Sequence, residues 1–371
     1  MSTERLASLA LHFVPGIGDF LVKQLISYCG SAEEVFKLPK GKLLRIPGIG
    51  EASATALKQN PPFAQAEAEF QKAERTNTKI HFFFESDFPK RLKHFDDCPS
   101  LVYLKGNVNL NTAKTVGIVG TRKCTEYGKE RVEELVSGLA GHLPLIVSGL
   151  AYGIDIHAHK QSLQNGLPTL GVMASGMDII YPAVHKDIAK QMTENGGLIT
   201  EHCFGTKPDA HNFPARNRII AALSDALIVV EAAEKGGALI TAEIANTYNK
   251  DVFAVPGSIG NTYSAGCNKL IKTNKAHLLT SVKDIEYIMN WSANISNSPN
   301  QSEQQLDLEL FDEQERKIIS LLQEKKATMM IDELSRKSSL SPSTLASLLL
   351  GLEFKNVVKS LPGKMYKLAR A

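Results

Sequence analysis

Three consecutive residues after an apolar run are the first in this sequence that suit phosphate chemistry. The segment TVGIVGTR (115–122) ends in Gly120, Thr121 and Arg122. A glycine lets a ligand approach the backbone, a threonine offers a hydroxyl, and a guanidinium fork matches phosphate oxygens. The spacing fits neither GxxxxGK[ST], the P-loop, nor G-x-G-x-x-G, the dinucleotide fingerprint. We therefore predict a phosphate-binding turn of another kind at residues 120–122.

A second set of polar side chains lies in HNFPARNRIIAALSDA (211–226). Arg216, Asn217 and Arg218 fall at the start of a helical pattern that follows Phe213 and precedes a buried strand. Guanidinium groups suit phosphates, and an aromatic ring suits an unstacked base. The combination predicts contacts to a single-stranded nucleic acid.

The same segment also has a purely structural interpretation. Phe213 would belong to the core, and one arginine would form an ion pair with Asp225 or Glu231. We allow that outcome for one of the two arginines.

A further small-residue turn, Lys235-Gly236-Gly237, opens another helical pattern. Thr241 and Glu243 lie about one turn into that helix. Helix amino termini present backbone N–H groups to anions. We therefore predict that this turn joins the phosphate-binding turn at residues 120–122.

Asp155, His157 and His159 in GIDIHAHK raise a metal-binding hypothesis. Asp155 is predicted to cap a helix that stops at Gly166, and residues two apart on a helix point about 200° from each other. Both histidines therefore cannot ligate one ion, and packing with hydrogen bonding at the helix start explains them better. The sequence predicts no metal and no cofactor.

Apolar runs without alternation, separated by helical patterns, position these side chains. They predict strands buried on both faces of a parallel sheet, with edge strands at 80–84 and 101–106. The carboxyl ends of parallel strands meet at one edge, where ligands bind, so we expect the turns above to form one cradle. The strands predicted for the main sheet are 115–120, 145–149, 168–174, 197–201, 226–231, 251–255 and 277–280.

Two similar segments precede the sheet: VPGIGDFLVKQLI (14–26) and IPGIGEASATALK (46–58). Pro-Gly-apolar-Gly between helices makes a tight hairpin whose second glycine lets N–H groups face a phosphate. The tandem pair resembles the helix-hairpin-helix of DNA-binding and repair proteins. The alternative is a scaffold whose glycines only permit the turn, and the scarcity of nearby cations favours it.

The carboxyl-terminal residues begin with a Ser-, Asn- and Gln-rich linker. Three helical patterns and two strand patterns around Pro362-Gly363 then describe a winged helix. Basic residues are in excess there, which is compatible with duplex binding. The would-be recognition helix, STLASLLLGLEF, has few groups for base edges, so we favour an interaction module.

Bulk properties narrow the classes of protein further. The net charge of +3 permits a local basic patch without demanding one. Five scattered cysteines without a CxxC pair indicate reduced thiols and no zinc site. No apolar run approaches about 18 residues, and the amino terminus lacks a signal-peptide pattern. We expect a cytoplasmic protein that does not enter the membrane.

The segments GIVGTRKCTEYG, IVSGLAYGIDIHAH, MDIIYP, FPARNRIIAALSDALIVVEA, GGALITAEIA and VFAVPG occur together and in order. In these motifs the chain resembles the bacterial DNA-processing family DprA, also called Smf. The resemblance implies a homodimeric protein that binds single-stranded DNA at the sheet edge and loads the RecA recombinase during natural transformation.

The resemblance also fixes the expected architecture. It is an α/β protein with an extended Rossmann-like parallel sheet, an all-α amino-terminal helix-hairpin-helix (SAM-like) domain and a carboxyl-terminal winged helix. The expected bounds are 1–75 for the helical domain, 76–290 for the Rossmann-like domain, 291–305 for the linker and 306–371 for the winged helix.

Two positions depart from the family pattern. Many relatives have Ser-Gly where this chain has Gly236 and Gly237, and Ala210 stands where a lysine can contact DNA, with Lys207 and His211 nearby. The full set of residues predicted to bind DNA is Gly120, Thr121, Arg122, Ser148, Gly149, Lys207, Phe213, Arg216, Asn217, Arg218, Gly236, Gly237 and Thr241.

Two other functions stay open at this point. Nucleoside-monophosphate phosphoribohydrolases that resemble lysine decarboxylases share the superfold, and GGALITAE partly matches their PGGxGTxxE loop. Glu243 and Arg216 would then be the catalytic pair. A transcription regulator depends on the winged helix alone. We expect a single-stranded DNA-binding protein that is not an enzyme.

Overall fold

The computed structural model describes residues 2–291, 311–325, 328–355, 357–361 and 365–368. The chain forms two compact units, divided between residues 296 and 297. The predicted linker at 291–305 and the predicted Pro362-Gly363 turn lie outside the described residues, apart from Trp291. The finer domain bounds given above stay predictions.

Helices alone make up the chain before the first strand. In each predicted hairpin a helix begins directly after the second glycine, at Asp19 after Gly18 and at Glu51 after Gly50. The apolar faces of these helices share one core. The helices are α1 (Thr3–His12), α2 (Asp19–Cys29), α3 (Ala32–Lys37), α4 (Lys40–Leu43), α5 (Glu51–Gln59) and α6 (Phe63–Arg75).

A nine-stranded sheet forms the centre of the first unit, which ends at residue 296. Its strand order is β1-β2-β6-β5-β4-β3-β7-β8-β9. The pairs β1–β2 and β2–β6 are antiparallel, and all other neighbours are parallel. The strands are β1 (Lys79–Phe82), β2 (Leu101–Gly106), β3 (Thr115–Val119), β4 (Leu145–Ser148), β5 (Thr169–Val172), β6 (Gly196–Thr200), β7 (Ala226–Val229), β8 (Asp251–Ala254) and β9 (His277–Leu278).

Helices cover both faces of the sheet. They are α7 (Lys90–Lys93), α8 (Glu126–Leu139), α9 (Ile154–Gln164), α10 (Lys186–Met192), α11 (Asn212–Leu223), α12 (Gly237–Thr247), α13 (Ala265–Lys272) and α14 (Val282–Ile288). Strand side chains alternate between the faces. Val116 and Ile118 of β3 share a core with α8 and α9, whereas Val119 shares one with α11 and α12. This double burial explains the unbroken apolar runs in the sequence.

The predicted fold class is confirmed. Every predicted strand of the main sheet is present, with bounds within two residues of those expected. The two edge strands predicted at 80–84 and 101–106 are β1 and β2. They lie at one edge of the sheet, as predicted, and run antiparallel to their neighbours.

Within its described residues, the second unit contains three helices and a three-stranded antiparallel sheet in the order β10-β12-β11. It has one short strand more than the sequence predicts. Leu345, Leu349 and Leu352 of the Leu-rich helix are buried in the core of this unit. The elements are α15 (Glu313–Lys325), β10 (Met329–Met330), α16 (Ile331–Ser338), α17 (Pro342–Phe354), β11 (Val358–Leu361) and β12 (Met365–Leu368).

Candidate nucleic-acid interface

The order of the strands opens a crevice between the loops that follow β3 and β7. From β3 the chain continues through β4, β5 and β6 on one side, whereas β7, β8 and β9 lie on the other. Open α/β sheets bind their ligands at such a switch point, beyond the carboxyl ends of the strands. A cleft of about 700 Å³ lies there, between the loops and the first turns of α11 and α12. We call it the switch-point cleft.

The switch-point cleft brings together most of the residues predicted to bind DNA. The following nine line it: Gly120, Thr121, Arg122, Phe213, Arg216, Asn217, Gly236, Gly237 and Thr241. Ser148, Gly149, Lys207 and Arg218 belong to the predicted set but do not line it.

Arg122 and Phe213 line the cleft side by side, with the guanidinium over the ring. The guanidinium carbon of Arg122 lies 5.5 Å from the centre of the Phe213 ring, a cation–π distance. Phe213 is half-buried and faces the cleft, so the core interpretation of this residue does not hold. Arg122 is exposed and forms no ion pair with any residue that the structure describes. Its charge is therefore available to an anion.

Arg216 lies at the base of the cleft and is almost fully buried. Its Nη1 donates to the carbonyl of Val172 at the end of β5, and its Nε donates to Oδ1 of Asn217 at 3.2 Å. The bond to Val172 therefore holds α11 against the sheet, and the bond to Asn217 fixes the guanidinium within the helix. Burial lowers the pKa of this guanidinium, an effect that the carboxylate of Asp155 opposes.

Asp155 is the acidic partner of Arg216 in the cleft. The sequence predicted it as a helix cap, but Gly153 is the capping residue and Asp155 lies in the first turn of α9. Burial raises its pKa to about 6, and Arg216 opposes that rise. A side chain at Gly149 would lie 2.5 Å from the Asp155 carboxylate and 2.7 Å from Arg216. Gly149 therefore makes room for this buried pair rather than for a ligand.

Arg218 points away from the cleft. It pairs with Glu201 at 2.5 Å, neither with Asp225 nor with Glu231. Positions two apart on a helix face different directions, which separates Arg218 from Arg216. The sequence analysis allows one of the two arginines an ion pair with Asp225 or Glu231. In the structure Arg218 forms an ion pair, but its partner is Glu201.

The remaining predicted residues outside the cleft have other partners or positions. Ser148 is buried, and its hydroxyl donates to the carbonyl of Ile118 at 2.5 Å. Lys207 is exposed beyond the rim, while the next residue, Pro208, lines the wall. Ala210 lines the cleft where relatives can carry a lysine, and neither Lys207 nor His211 reaches it.

Lys235 supplies a second exposed cation to the cleft. It lies in the loop before α12, is exposed and lines the cleft. The sequence placed it in a turn but not in the DNA-binding set. Only the order β3-β7 brings its loop beside Arg122, which lies more than a hundred residues earlier in the chain.

The glycines of the cleft serve two purposes. A side chain at Gly120 would lie 2.4 Å from Ile154, so this glycine allows α9 to pack against the end of β3. At Gly236 an added carbon would meet nothing within 4 Å, and at Gly237 only the Asn217 amide at 3.9 Å. The start of α12 is therefore open to a ligand, and no side chain caps it. Its first N–H groups lack intrahelical acceptors.

His159, one of the two histidines in the metal hypothesis, has hydrogen-bond partners inside the protein. His159 is fully buried, its Nε2–H donates to the Gly149 carbonyl at 2.7 Å, and its Nδ1 lies 2.6 Å from the Thr169 hydroxyl. Burial lowers the pKa of His159 to about 4, so the ring is neutral. It supports the loop under Gly149, which agrees with the interpretation of hydrogen bonding at the helix start.

The two amino-terminal hairpins have the predicted glycines, and two of their lysines bind backbone carbonyls within the protein. Lys23 donates to the carbonyls of Asp96 and Cys98 at 2.8 and 2.7 Å, and Lys58 donates to the carbonyl of Phe36 at 2.5 Å. Each helix start also carries its own carboxylate, Asp19 or Glu51. These contacts favour the scaffold interpretation.

Comparison with known proteins agrees with this architecture. The model of a family described as DNA recombination-mediator protein A matches residues 79–290, more than half of the chain. The model of the DprA winged helix domain matches residues 297–364. The chain belongs to the DprA family. The family suggested by the motifs is thereby confirmed.

DprA relatives align over long stretches. The DNA processing protein DprA of Streptococcus pneumoniae is 42% identical over 198 residues, which are 53% of this chain and 70% of that protein. Protein Smf of Synechocystis is 35% identical over 288 residues, which are 76% and 71% of the two chains.

Solved DprA structures share the fold. The X-ray structure of Streptococcus pneumoniae DprA has a TM-score of 0.67 at 32% identity, covering 77% of this chain and 98% of that one. A structure of DprA from Helicobacter pylori, which concerns its single-stranded DNA binding mode, has a TM-score of 0.52 at 29% identity and covers 57% and 95%. Among the residues described for the present chain, no helix has both the length and the apolar character needed to cross a bilayer.

Proposed function

We propose that the switch-point cleft binds single-stranded DNA. Arg122 and Lys235 contact phosphates, the open amino end of α12 accepts a phosphate at Gly236 and Gly237, and Phe213 stacks under a base. Thr121 and Thr241 line the same surface. The Helicobacter relative, whose structure concerns single-stranded DNA binding, supports this proposal.

One observation carries the proposal above all others. Arg122 is an exposed cation without an ion-pair partner among the described residues, and its guanidinium lies over a half-buried aromatic ring that lines the cleft. A phosphate contact beside a stacking platform is the combination that single strands require, since their bases are accessible and their backbone is charged.

Arg216 has an indirect role in this proposal. Its donors to Val172 and Asn217 and its burial fit a residue that positions α11, and hence Phe213. Gly149 and Ser148 support the loop beneath, and Arg218 braces the far side of α11 against Glu201. We propose Lys235 as the cation that takes the place of the lysine missing at Ala210.

We further propose that the protein acts in the cytoplasm as a homodimer that protects incoming single strands and loads RecA during natural transformation. Family membership supports this role. A pull-down of RecA, with binding of single- and double-stranded oligonucleotides measured in parallel, tests it. We expect RecA capture and a preference for single strands. Absence of RecA capture would contradict the loading role while leaving DNA binding intact.

A binding role rather than a catalytic one is proposed for the cleft. The enzyme hypothesis needs Glu243 beside Arg216, but Glu243 is exposed, pairs with Lys275 at 2.8 Å and does not line the cleft. Asp155 is the one described lining residue with a carboxylate, and it is buried beside Arg216. Incubation with nucleoside monophosphates tests the proposal, because a binding protein releases no free base.

Fluorescence anisotropy of labelled oligothymidylate tests the main proposal directly. We expect tight binding to the single strand, weaker binding to a duplex of equal length, and an affinity that falls as salt rises. Equal affinity for both substrates would contradict a site built for unpaired bases.

A further inference from the structure

A second aromatic surface adjoins the switch-point cleft. A recess beyond Phe213 is lined by Tyr152 and Tyr181 together with apolar residues, and it shares Arg122, Phe213 and Arg216 with the cleft. Tyr181 lines both spaces. The two spaces are therefore one continuous surface along the edge of the sheet.

Both tyrosine rings are available to a ligand. Tyr152 is 51% exposed and Tyr181 is 49% exposed, although both line a recess. The Tyr181 ring lies 5.9 Å from the Phe213 ring at an angle of 53°, so one aromatic surface leads to the next. Neither hydroxyl has a hydrogen-bond partner among the residues described here, so neither ring is tied to the protein through its polar end.

Tyr152 is supported from behind by His185. The two rings meet edge to face at 5.0 Å. His185 is buried, and its Nδ1 donates to the Leu150 carbonyl at 2.8 Å, which fixes the ring because a carbonyl can only accept. This contact holds the Tyr152 ring in place while about half of the residue stays exposed.

The strand order arranges these features in a row. In the order β5-β4-β3-β7, Tyr181 follows β5, Tyr152 follows β4, Arg122 follows β3 and Gly236 follows β7. Neighbouring strands lie about 4.8 Å apart, so the four loops leave the edge of the sheet within roughly three such spacings. A polynucleotide that enters at the start of α12 and passes Arg122 is therefore directed toward the tyrosines.

We propose that Tyr181 and Tyr152 form a second base-stacking station for the same DNA strand, beyond the station at Phe213. This inference rests on the proposed function of the cleft. No carboxylate lines the recess in the described part of the chain, and Arg122 and Arg216 border it, so the charge there suits a polyanion. The recess has about 70 Å³, a tenth of the cleft, so a base lies over the exposed rings rather than inside it.

A length series of oligothymidylates separates this station from the first. Because the Phe213 and Tyr181 rings lie 5.9 Å apart, about one nucleotide step, a thymidine mononucleotide can cover only one of them and is expected to bind wild type and Tyr181→Ala equally. Longer oligothymidylates are expected to bind Tyr181→Ala about fivefold or more weakly than wild type, which corresponds to the lower end of the free energy of base–aromatic stacking. Tyr152→Ala is expected to show the same dependence on length.

Matched variants control for damage to the fold. Tyr181→Phe keeps the ring and is expected to bind all lengths as wild type does. Tyr287→Ala removes an exposed tyrosine on α14 that lines neither space, and no effect is expected. Thermal unfolding of each variant is measured alongside.

The outcomes distinguish the inference from the function on which it rests. An equal loss of affinity at every length, or no loss at any length, for both tyrosine variants overturns the second station. If wild type binds no oligothymidylate of any length, the proposed function of the cleft fails as well. A third outcome is that wild type binds oligothymidylate, Arg122→Ala binds it more weakly, and both tyrosine variants bind it with wild-type affinity. In that case only the second station is wrong.

Discussion

The switch-point cleft and the two amino-terminal hairpins share one local device, a glycine directly before a helix. At the cleft, Gly236 precedes α12, whose first turn carries no acidic side chain, and Lys235 lies beside it. In the hairpins, Gly18 precedes Asp19 and Gly50 precedes Glu51. The local sequence therefore supplies a carboxylate to the helix end in the hairpins only.

The carboxylates of the hairpins have structural partners. Asp19 accepts hydrogen bonds from the amide and hydroxyl of Ser100 at 2.7 and 2.6 Å, and Glu51 pairs with Lys40. A carboxylate near a helix amino terminus already stabilises the helix dipole. An external phosphate would have to compete with it. A glycine before a helix thus favours an anion site where no carboxylate of the chain already occupies the helix end.

The largest expected effect is that of Arg122→Ala in the cleft. It is expected to reduce affinity for single-stranded DNA by about 2–3 kcal/mol, because a charge-assisted phosphate contact and the support for the Phe213 ring are lost together. The dependence of log affinity on log salt should become shallower by about 0.7. Anisotropy titrations at several salt concentrations measure both quantities.

Arg131→Ala is the matched control for this variant. Arg131 lies on α8, pairs with Glu134 and does not line the cleft. Its removal is expected to leave affinity and salt dependence unchanged. If folded Arg122→Ala matched this control in both quantities, Arg122 would not be part of the site.

Phe213→Ala is expected to have the second largest effect, a loss of about 2 kcal/mol in single-strand affinity if a base stacks on the ring. Because Arg122 packs on the same ring, the double variant should lose less than the sum of the two single losses. Titration calorimetry of all three variants measures the coupling. A loss of thermal stability with unchanged affinity would instead assign Phe213 to the fold.

A smaller effect is expected from pH through Asp155. Its pKa, raised by burial to about 6, means that the carboxylate is charged above pH 6 and neutral below it. As pH falls through 6, the cleft gains one positive charge, so affinity for the polyanion should rise by about 1 kcal/mol or less. Asp155 also affects folding. Because burial penalises its ionised form, its contribution to the free energy of unfolding falls as pH rises from about 4 to 6.

Asp155→Asn isolates this contribution from that of exposed histidines. Binding measured between pH 5.5 and 7.5 should vary less in the variant than in wild type. Identical pH profiles for the two proteins would show that Asp155 does not titrate in the cleft.

The smallest effect on binding is expected from Lys23→Met and Lys58→Met in the hairpins. Both lysines donate to backbone carbonyls, so their loss should lower the free energy of unfolding by about 1–2 kcal/mol each. Affinity for single or double strands should change by less than about 0.5 kcal/mol. Chemical denaturation and anisotropy measure the two quantities, and a weaker affinity at full stability would give the hairpins a DNA-binding role.

Most of the fold could be predicted because double burial leaves a direct trace in the sequence. Runs such as VGIV in β3 and ALIV in β7 are apolar on both faces, and each became a strand. The order of the strands leaves no such trace. For that reason Tyr181, on the loop after β5, was not predicted to share a surface with Arg122.

Tertiary packing gives several residues of the predicted set structural roles that their sequence context does not show. Arg218 faces a different side of α11 from Arg216, because residues two apart on a helix point in different directions, the same geometry that separates His157 from His159. Side chains at Gly120 and Gly149 would collide with Ile154 and with Asp155 and Arg216, so packing requires glycine at both positions. Which atoms face a glycine is decided by tertiary packing and cannot be read from its neighbours in the sequence.

A crystal structure of the full chain with oligothymidylate tests the contrast between cleft and hairpins most directly. We predict phosphates beside Arg122 and at the start of α12, a base on Phe213, and no nucleotide at Gly18 or Gly50. Nucleotides bound at the hairpins, with the cleft empty, would contradict the central claim.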